Sequence, residues 1–328
     1  LVPIGGVRRL SLPFAANLSR CVTTNLVPSH GAGQEVPGTA PRLSTMTSPS
    51  PTNYPPTALV ELGVTRDGLS QVRREWPVAN PKAIIVLVHG LNEHSGRYEH
   101  MAQHFNNAGF GVVSFDHRGH GQSGGKRSWL AHFDDCLDDV QDHLEVASQV
   151  GIPVVLCGHS MGALASIRYA VSDRPQPDLL VLSGPPILGL SDQAAIEKAP
   201  GLLAPLAGSV SIPSPLPTEV LSHDQAVCDA YDADLLVNKS TTFDLLNAMQ
   251  QAQDIVRANI GNIRVPTLAM AGSADELVPP KSTRFLEGRK DIDVVIHEGL
   301  RHEIYNELNW QEIVDQVATW VDAHLPQN

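Results

Sequence analysis

Cysteine is scarce in this chain: four in 328 residues, Cys21, Cys136, Cys157 and Cys228, with no C-x-x-C pair among them. That excludes a disulfide framework and a thiolate metal site as the basis of the fold. Cys157 lies in an apolar run and reads as a small buried hydrophobe. No apolar run reaches the roughly 18 residues needed to cross a bilayer. Basic residues are also few: 23 Lys and Arg stand against 35 Asp and Glu, a formal net charge of −12. This balance argues against nucleic acid as a partner and against attraction to an anionic membrane. His89, His94, His117, His120 and His159 lack the spacing of a zinc site. Asp134, Asp135, Asp138, Asp139, Asp142 and Glu145 read as the solvated face of a helix rather than a calcium site, since Leu137, Val140, Leu144 and Ala147 mark its buried face. No metal and no cofactor is expected.

What is present begins after an unpatterned leader. Residues 1–57 scatter Pro, Gly, Ser and Thr without a period and are expected to be disordered. Arg8-Arg9 precedes Leu10–Ala16, an apolar stretch too short, and broken by Pro13, for a signal peptide. Asn17-Leu-Ser19 and Asn238-Lys-Ser240 match the glycosylation pattern, but nothing else suggests secretion. A cytoplasmic location, soluble or peripheral to a membrane, is therefore expected. Met46 reads as a start, which makes 1–45 a leader or an expression-derived tail; a start codon written as Leu1 reads equally well. The hydrophobic content of 42% is ample for a core, and one α/β unit of this length is ordinary.

The most informative stretch is Pro153–Cys157 running into Gly158-His159-Ser160-Met161-Gly162 and then Ala163–Ala170. It reads as a buried strand, a G-x-S-x-G turn and a helix. Such a turn lifts a serine hydroxyl above the sheet, while the flanking glycines avoid a clash in the bend. Gly121-Gln122-Ser123-Gly124-Gly125 fits the same letters, but no apolar strand enters it, so it reads as a loop. The nucleophile is placed at Ser160. A serine of this kind needs a base and an acid that follow it in the chain. Pro266–Gly272 reads as a late strand, and Asp275 just after it is the favoured acid, with Glu276 the rival. Asp291–His297 is the next strand. His302, in the loop after Gly299, is the favoured base over His297 at the strand end; His223 and His324 read as surface residues. An oxyanion requires two convergent N–H donors. The backbone N–H groups of Met161, after the nucleophile, and of Leu91, after the strand Ala83–His89 and Gly90, are the candidates.

These residues resemble the monoacylglycerol lipases and lysophospholipase-like serine hydrolases of the α/β-hydrolase superfamily, the bacterial ones especially. The resemblance rests on His89–Tyr98, Asp116–Gly125, Gly158–Gly162 and Leu221–Asp224 in that order, and spans residue 58 to the end. It implies Ser160, Asp275 and His302 as a triad and Leu91 and Met161 as oxyanion donors. Asn92 and Ala163 stand where those lipases usually carry Gly; Asn92 places an extra polar side chain near the acyl pocket. The implied architecture is a mostly parallel sheet with helices on both faces and an inserted cap. A hairpin around Asp67-Gly68 forms its antiparallel edge. The core spans 58–183 and 261–328, and the cap 184–260, where the strand–helix alternation stops.

The expected activity is hydrolysis of monoacylglycerols or similar carboxylic esters through an acyl-enzyme. A broad-specificity short-chain carboxylesterase, an acyltransferase or a non-catalytic binding module on the same scaffold are the alternatives. The expected partner is a small ester or lipid, with transient lipid-interface contact through the cap; oligomeric state is not legible. The stretch Gly201–Pro217 has few charges; its apolar residues read either as packing down on the core or as lining an acyl tunnel or touching a lipid interface. Replacing its apolar residues by polar ones should lower hydrolysis of long-chain esters more than that of short soluble ones. Equal losses on both would remove the lipid-binding reading.

Overall fold

The computed structural model describes residues 49–189, 208–214 and 216–326. Most of the leader and the apolar stretch 201–207 of the insertion lie outside the described residues. The hairpin at the start is β1 (Leu59–Val64) and β2 (Ser70–Trp76), paired antiparallel. Strand β3 (Ile84–Val88), helix α1 (Glu99–Asn107), strand β4 (Gly111–Phe115) and helix α2 (Asp134–Ser148) follow. Next come β5 (Val154–His159), α3 (Met161–Ala170) and β6 (Leu179–Ser183). The insertion contributes β7 (Ser211–Pro213), α4 (Gln225–Ala233), β8 (Ser240–Thr242) and α5 (Phe243–Asn259). The chain closes with β9 (Thr267–Gly272), the short α6 (Lys281–Arg284), β10 (Ile292–His297) and α7 (Trp310–His324).

Eight strands form one sheet in the order β1-β2-β4-β3-β5-β6-β9-β10. Only the β1–β2 and β2–β4 pairs are antiparallel; every other pair is parallel. The central strands are continuous apolar runs, as burial on both faces requires. In β3, Ile84, Val86 and Val88 face one side, where they meet Leu137 and Val140 of α2, Leu164 and Ile167 of α3 and Leu245 and Met249 of α5. Ile85 and Leu87 face the other, with Met101 and Phe105 of α1 and Trp310, Val314 and Val321 of α7. By this packing α5 belongs to the helix layer beside the sheet, while β7, β8 and α4 lie outside it. Among the described residues no helix is long and apolar enough to cross a membrane.

The acidic run on α2 departs from the expected solvated face. Asp139 is fully buried and takes two hydrogen bonds from Arg118, at 2.8 Å each. Asp134, Asp138 and Asp142 pair with Arg168, Arg174 and Arg66. The basic partners come from other parts of the chain, Arg168 from α3 and Arg66, Arg118 and Arg174 from loops, which helical periodicity cannot reveal. Asp139 lies beside the apolar Val140, on the flank of the buried face, so a strict polar-out reading fails there.

Strand order reverses at β3 and β5: the chain steps from β3 to β4 on one side and resumes at β5 on the other. Crevices at such switch points, above the carboxyl ends of the strands, are where ligands bind in open α/β sheets. Here the loops after β3 and β5 both open into that crevice, with Val88 and Gly158 in register. The contact between them admits no side chain. A Cβ on Gly162 would lie 2.1 Å from the carbonyl oxygen of Val88, and one on Gly158 would lie 2.5 Å from that of Gly162. Gly162→Ala is therefore expected to force backbone apart and to destabilise the protein by about 3 kcal/mol. A melting temperature equal to that of the parent would contradict this packing.

Candidate active site

At the end of β5 the chain turns through Ser160 with φ 52° and ψ −117°. A non-glycine residue there carries strain of about 1–3 kcal/mol, which only a surrounding structure that fixes it can sustain. Ser160 N–H donates to Ser183 O at 2.8 Å, and Ser160 O accepts from Leu164 N–H at 2.9 Å. The turn thus holds its geometry from both ends, and Met161 opens α3, where the first N–H groups have no intrahelical acceptor. Neither the Met161 nor the Leu91 N–H donates to another protein group among the described residues.

His302 and Asp275 arrive from the loops after β10 and β9. The imidazole Nδ1 lies 2.7 Å from Asp275 Oδ2, and both side chains are buried. Asp275 Oδ1 accepts from the N–H groups of Leu277 at 2.9 Å and Val278 at 2.8 Å, so both carboxylate oxygens are committed. Because Asp275 accepts, Nδ1 carries the proton and Nε2 is left with its lone pair. Gly184, at φ 55°, leaves room for the ring: a Cβ there would sit 3.1 Å from His302 Cε1. Burial pushes the His302 pKa down, but the Asp275 charge and hydrogen bond, with Glu303 and Glu93 further off, outweigh it and raise it above the ordinary value.

Ser160 and His302 line one cavity of about 430 Å³. Leu91, Ile212, Leu216, Leu221, Leu246 and Leu277 give it an apolar wall drawn from both core and insertion. Gly90 packs against the nucleophile turn, since a Cβ on it would lie 3.2 Å from Ser160 Cβ. The rival groups stand elsewhere. His297 ends β10, its pKa lowered by burial. His223 Nδ1 pairs with Glu307 at 2.9 Å, and His324 stacks on Trp320. Ser123, in the second serine motif, is buried; its hydroxyl donates to Asp116 O at 2.7 Å and accepts from Val72 N–H at 2.9 Å. That serine braces a loop.

Two groups of residues around the cavity escaped the sequence reading of the site. The buried Glu93, Tyr98 and Glu303 form a network with the half-buried Arg97 behind His302. Glu93 accepts from Gly90 N–H at 2.6 Å, from Tyr98 OH at 2.7 Å and from Arg97 at 2.6 Å. Arg97 also grips Glu303 with two bonds of 2.8 Å, and its guanidinium lies 4.8 Å from the Tyr231 ring. Burial raises the Glu93 pKa more than Arg97 lowers it. Burial also acts upward on Glu303, but there Arg97 and Asn306 prevail and lower it to about 2. The second group is Leu221–Asp224. Leu221 O accepts from Glu303 N–H at 2.9 Å, Ser222 donates to Asn306 O at 2.7 Å, and Asp224 caps α4 through Ala226 N–H at 3.0 Å. The motif ties the insertion to the loop that carries His302. Its polar residues ahead of a helix were a capping signal, but the partner loop was not visible. Among the described residues no cluster of three His, Cys, Asp or Glu has the arrangement to hold a metal ion.

A family model described as serine aminopeptidase, S33, matches residues 79–309. A monoacylglycerol lipase of Mycolicibacterium smegmatis is 33% identical over 270 residues, 79% of this chain and 95% of its own length. The monoglyceride lipase of Homo sapiens is 31% identical over 275 residues, 79% of this chain and 88% of that protein. Among solved structures, a monoacylglycerol lipase of Paleococcus ferrophilus superposes with a TM-score of 0.67 at 29% identity, over 78% of this chain and 99% of the other. The sheet order and helix layers described above are those of the α/β-hydrolase fold.

The Asp275–His302 pair has a definite pH signature. A raised folded-state pKa means the pair adds stability below the unfolded-state value and loses it as pH rises through the folded one. In an NMR titration His302 should lose its proton above the ordinary histidine value of 6.5. With Asp275→Asn the largest raising influence is lost, leaving burial opposed only by the charges of Glu303 and Glu93, and the transition should fall; an unchanged transition would separate the two residues electrostatically.

Proposed function

The chain belongs to the serine aminopeptidase S33 family of α/β-hydrolases, together with monoacylglycerol lipases, and from this we propose that it cleaves monoacylglycerols or similar carboxylic esters through an acyl-enzyme at Ser160. It is a carboxylic ester hydrolase. The observation that carries the assignment of residues is the 2.7 Å Asp275–His302 bond beside a strained Ser160 in one apolar cavity. His302 Nε2, free of its proton, takes the one from the Ser160 hydroxyl as the oxygen attacks the ester carbonyl. Asp275 holds the tautomer and stabilises the imidazolium that forms. The Leu91 and Met161 N–H groups receive the charge that develops on the carbonyl oxygen, each worth about 3 kcal/mol in the transition state. The imidazolium returns the proton to the leaving glycerol oxygen, and a water activated by the same ring releases the fatty acid.

His159, 4.8 Å from the His302 ring, does not compete for this proton: burial and then the neighbouring His302 lower its pKa to about 3. The residues 184–260 are read as the cap, with β7, β8 and α4 closing the cavity from above. Its apolar wall fits an acyl chain. The name of the matched family raises an aminopeptidase reading, in which acids would bind a free amino terminus. Glu93 and Glu303 do line the cavity, but each of their carboxylate oxygens already accepts a hydrogen bond from Arg97, Gly90 N–H, Tyr98 or Asn306, so none is left open to an ammonium group. A short-chain carboxylesterase or an acyltransferase keeps the same chemistry and differs in pocket depth and in the acceptor admitted.

A fluorophosphonate probe should label Ser160, and Ser160→Ala or His302→Ala should abolish the labelling. Asp275→Asn should lower kcat on the order of 10⁴-fold, because the tautomer is then wrong. Label recovered on another serine would sink the assignment. A panel of monoacylglycerols and p-nitrophenyl esters, with and without an added alcohol, separates lipase, esterase and acyltransferase.

A further inference from the structure

Asn92 follows Leu91 and holds φ at 65°, in the left-handed region. Its backbone position alone would suit glycine, yet every polar atom of its side chain is engaged. Asn92 Oδ1 accepts from the Ser128 hydroxyl at 2.7 Å, and Nδ2 donates to the Thr241 hydroxyl at 2.9 Å. Its carbonyl accepts from Asn238 N–H at 2.8 Å. Asn92, Ser128 and Thr241 are all buried. Three bonds therefore run from the loop after β3 into Ser128 and the segment Asn238–Thr241 of the insertion.

That segment carries a wall of the cavity. Thr241 in β8 pairs in register with Ile212 in β7, and Ile212, Pro213 and Ser214 line the cavity. The β7–β8 ribbon has three residues per strand and joins no other strand among the described residues. A lone two-stranded ribbon is marginal in water, so outside ties fix its place. The Asn92 amide is one. Ser128 supplies two more: its carbonyl accepts from the Thr242 N–H at 3.2 Å and hydroxyl at 2.6 Å.

We propose that Asn92 is a positioning residue that joins the loop after β3 to the Ile212 wall, so that this link sets the fit of a long acyl chain. This rests on the ester-hydrolase reading above. A short acyl group does not reach the wall, whereas a long one leans on it. Chain-length selectivity is then the property this residue controls.

Asn92→Gly keeps the backbone conformation without strain and deletes both side-chain bonds. The ratio of kcat/KM for a long-chain monoacylglycerol to that for p-nitrophenyl acetate should fall about ten-fold, the worth of a buried hydrogen bond. Thr241→Val should give a similar fall, and the double variant should fall no further than either single one. Thr241→Ser, which keeps the hydroxyl, should restore the parental ratio. A merely structural role would lower the melting temperature and both rates together, leaving the ratio unmoved; that result, or additive losses in the double variant, overturns the proposal. If Asn92→Gly fails to fold, the contrast between Thr241→Val and Thr241→Ser decides alone. Absence of fluorophosphonate labelling at Ser160 in the parent would instead fail the hydrolase reading, and this inference with it.

Discussion

The first turn of α3 meets the end of β3 with no room for a side chain between them. With no side chain at Gly162, its Cα comes down onto the Val88 carbonyl, where a Cβ would be 2.1 Å away. This contact brings the Ser160 turn and the loop after β3 side by side. Ser160 is held in a conformation a free chain would abandon, since its N–H is fixed to β6 and its carbonyl to α3. The strain is small beside the total burial of the sheet, whose central strands are apolar on both faces. A rigid scaffold thus supports a local conformation that propensity alone would not choose.

Electrostatics adds a second layer behind this contact. Arg97 is half-buried with two buried carboxylates, one on its own loop and one beside His302. Removing such charges from water is costly, and the cost is recovered only when each is fully hydrogen-bonded. Here each is: Glu93 by Gly90 N–H, Tyr98 and Arg97, and Glu303 by Arg97 and Asn306. The network also spans three pieces of chain distant in sequence, the loop after β3, the loop after β10 and, through Tyr231, helix α4. Its geometric effect is to fix the separation between the Gly90 backbone and Glu303, the residue that follows His302.

Much of this was legible in the chain because the signals were local and of one kind. Continuous apolar runs bounded by Gly and Pro marked β3, β5 and β9. The strand–turn–helix context chose Ser160 over Ser123, and the loop after Gly299 chose His302 over His297. What escaped depended on partners far apart in sequence. Asp139 looked like one more acid on a solvated face until Arg118 supplied a buried partner. Leu221–Asp224 had no visible reason to reach the loop of His302. The helix α5 lay inside the expected cap, yet Leu245, Met249 and Val256 carry it into the core beside α3. Asn92 was read as a polar side chain added to the acyl pocket; although it touches the cavity, its amide is spent on Ser128 and Thr241.

The same loop shows how a tautomer can orient a backbone group. His117 N–H donates to His89 Nε2 at 2.9 Å, so the His89 proton must sit on Nδ1. Nδ1 lies 2.8 Å from Gly90 O and donates to it. His117 Nε2 in turn donates to His89 O at 3.0 Å. The Gly90 carbonyl and the Leu91 N–H belong to one planar trans peptide and point in opposite directions. Fixing the carbonyl toward the buried His89 ring therefore turns the N–H away from that ring. Burial is what keeps these rings neutral, lowering the pKa of His89 far below its ordinary value and that of His117 to about 3. A protonated His89 could not accept from His117, and the peptide would lose its tether. His89 and His117 thus act through ordinary hydrogen bonds on the loop after β3, the same loop that Asn92 ties to Ser128 and Thr241.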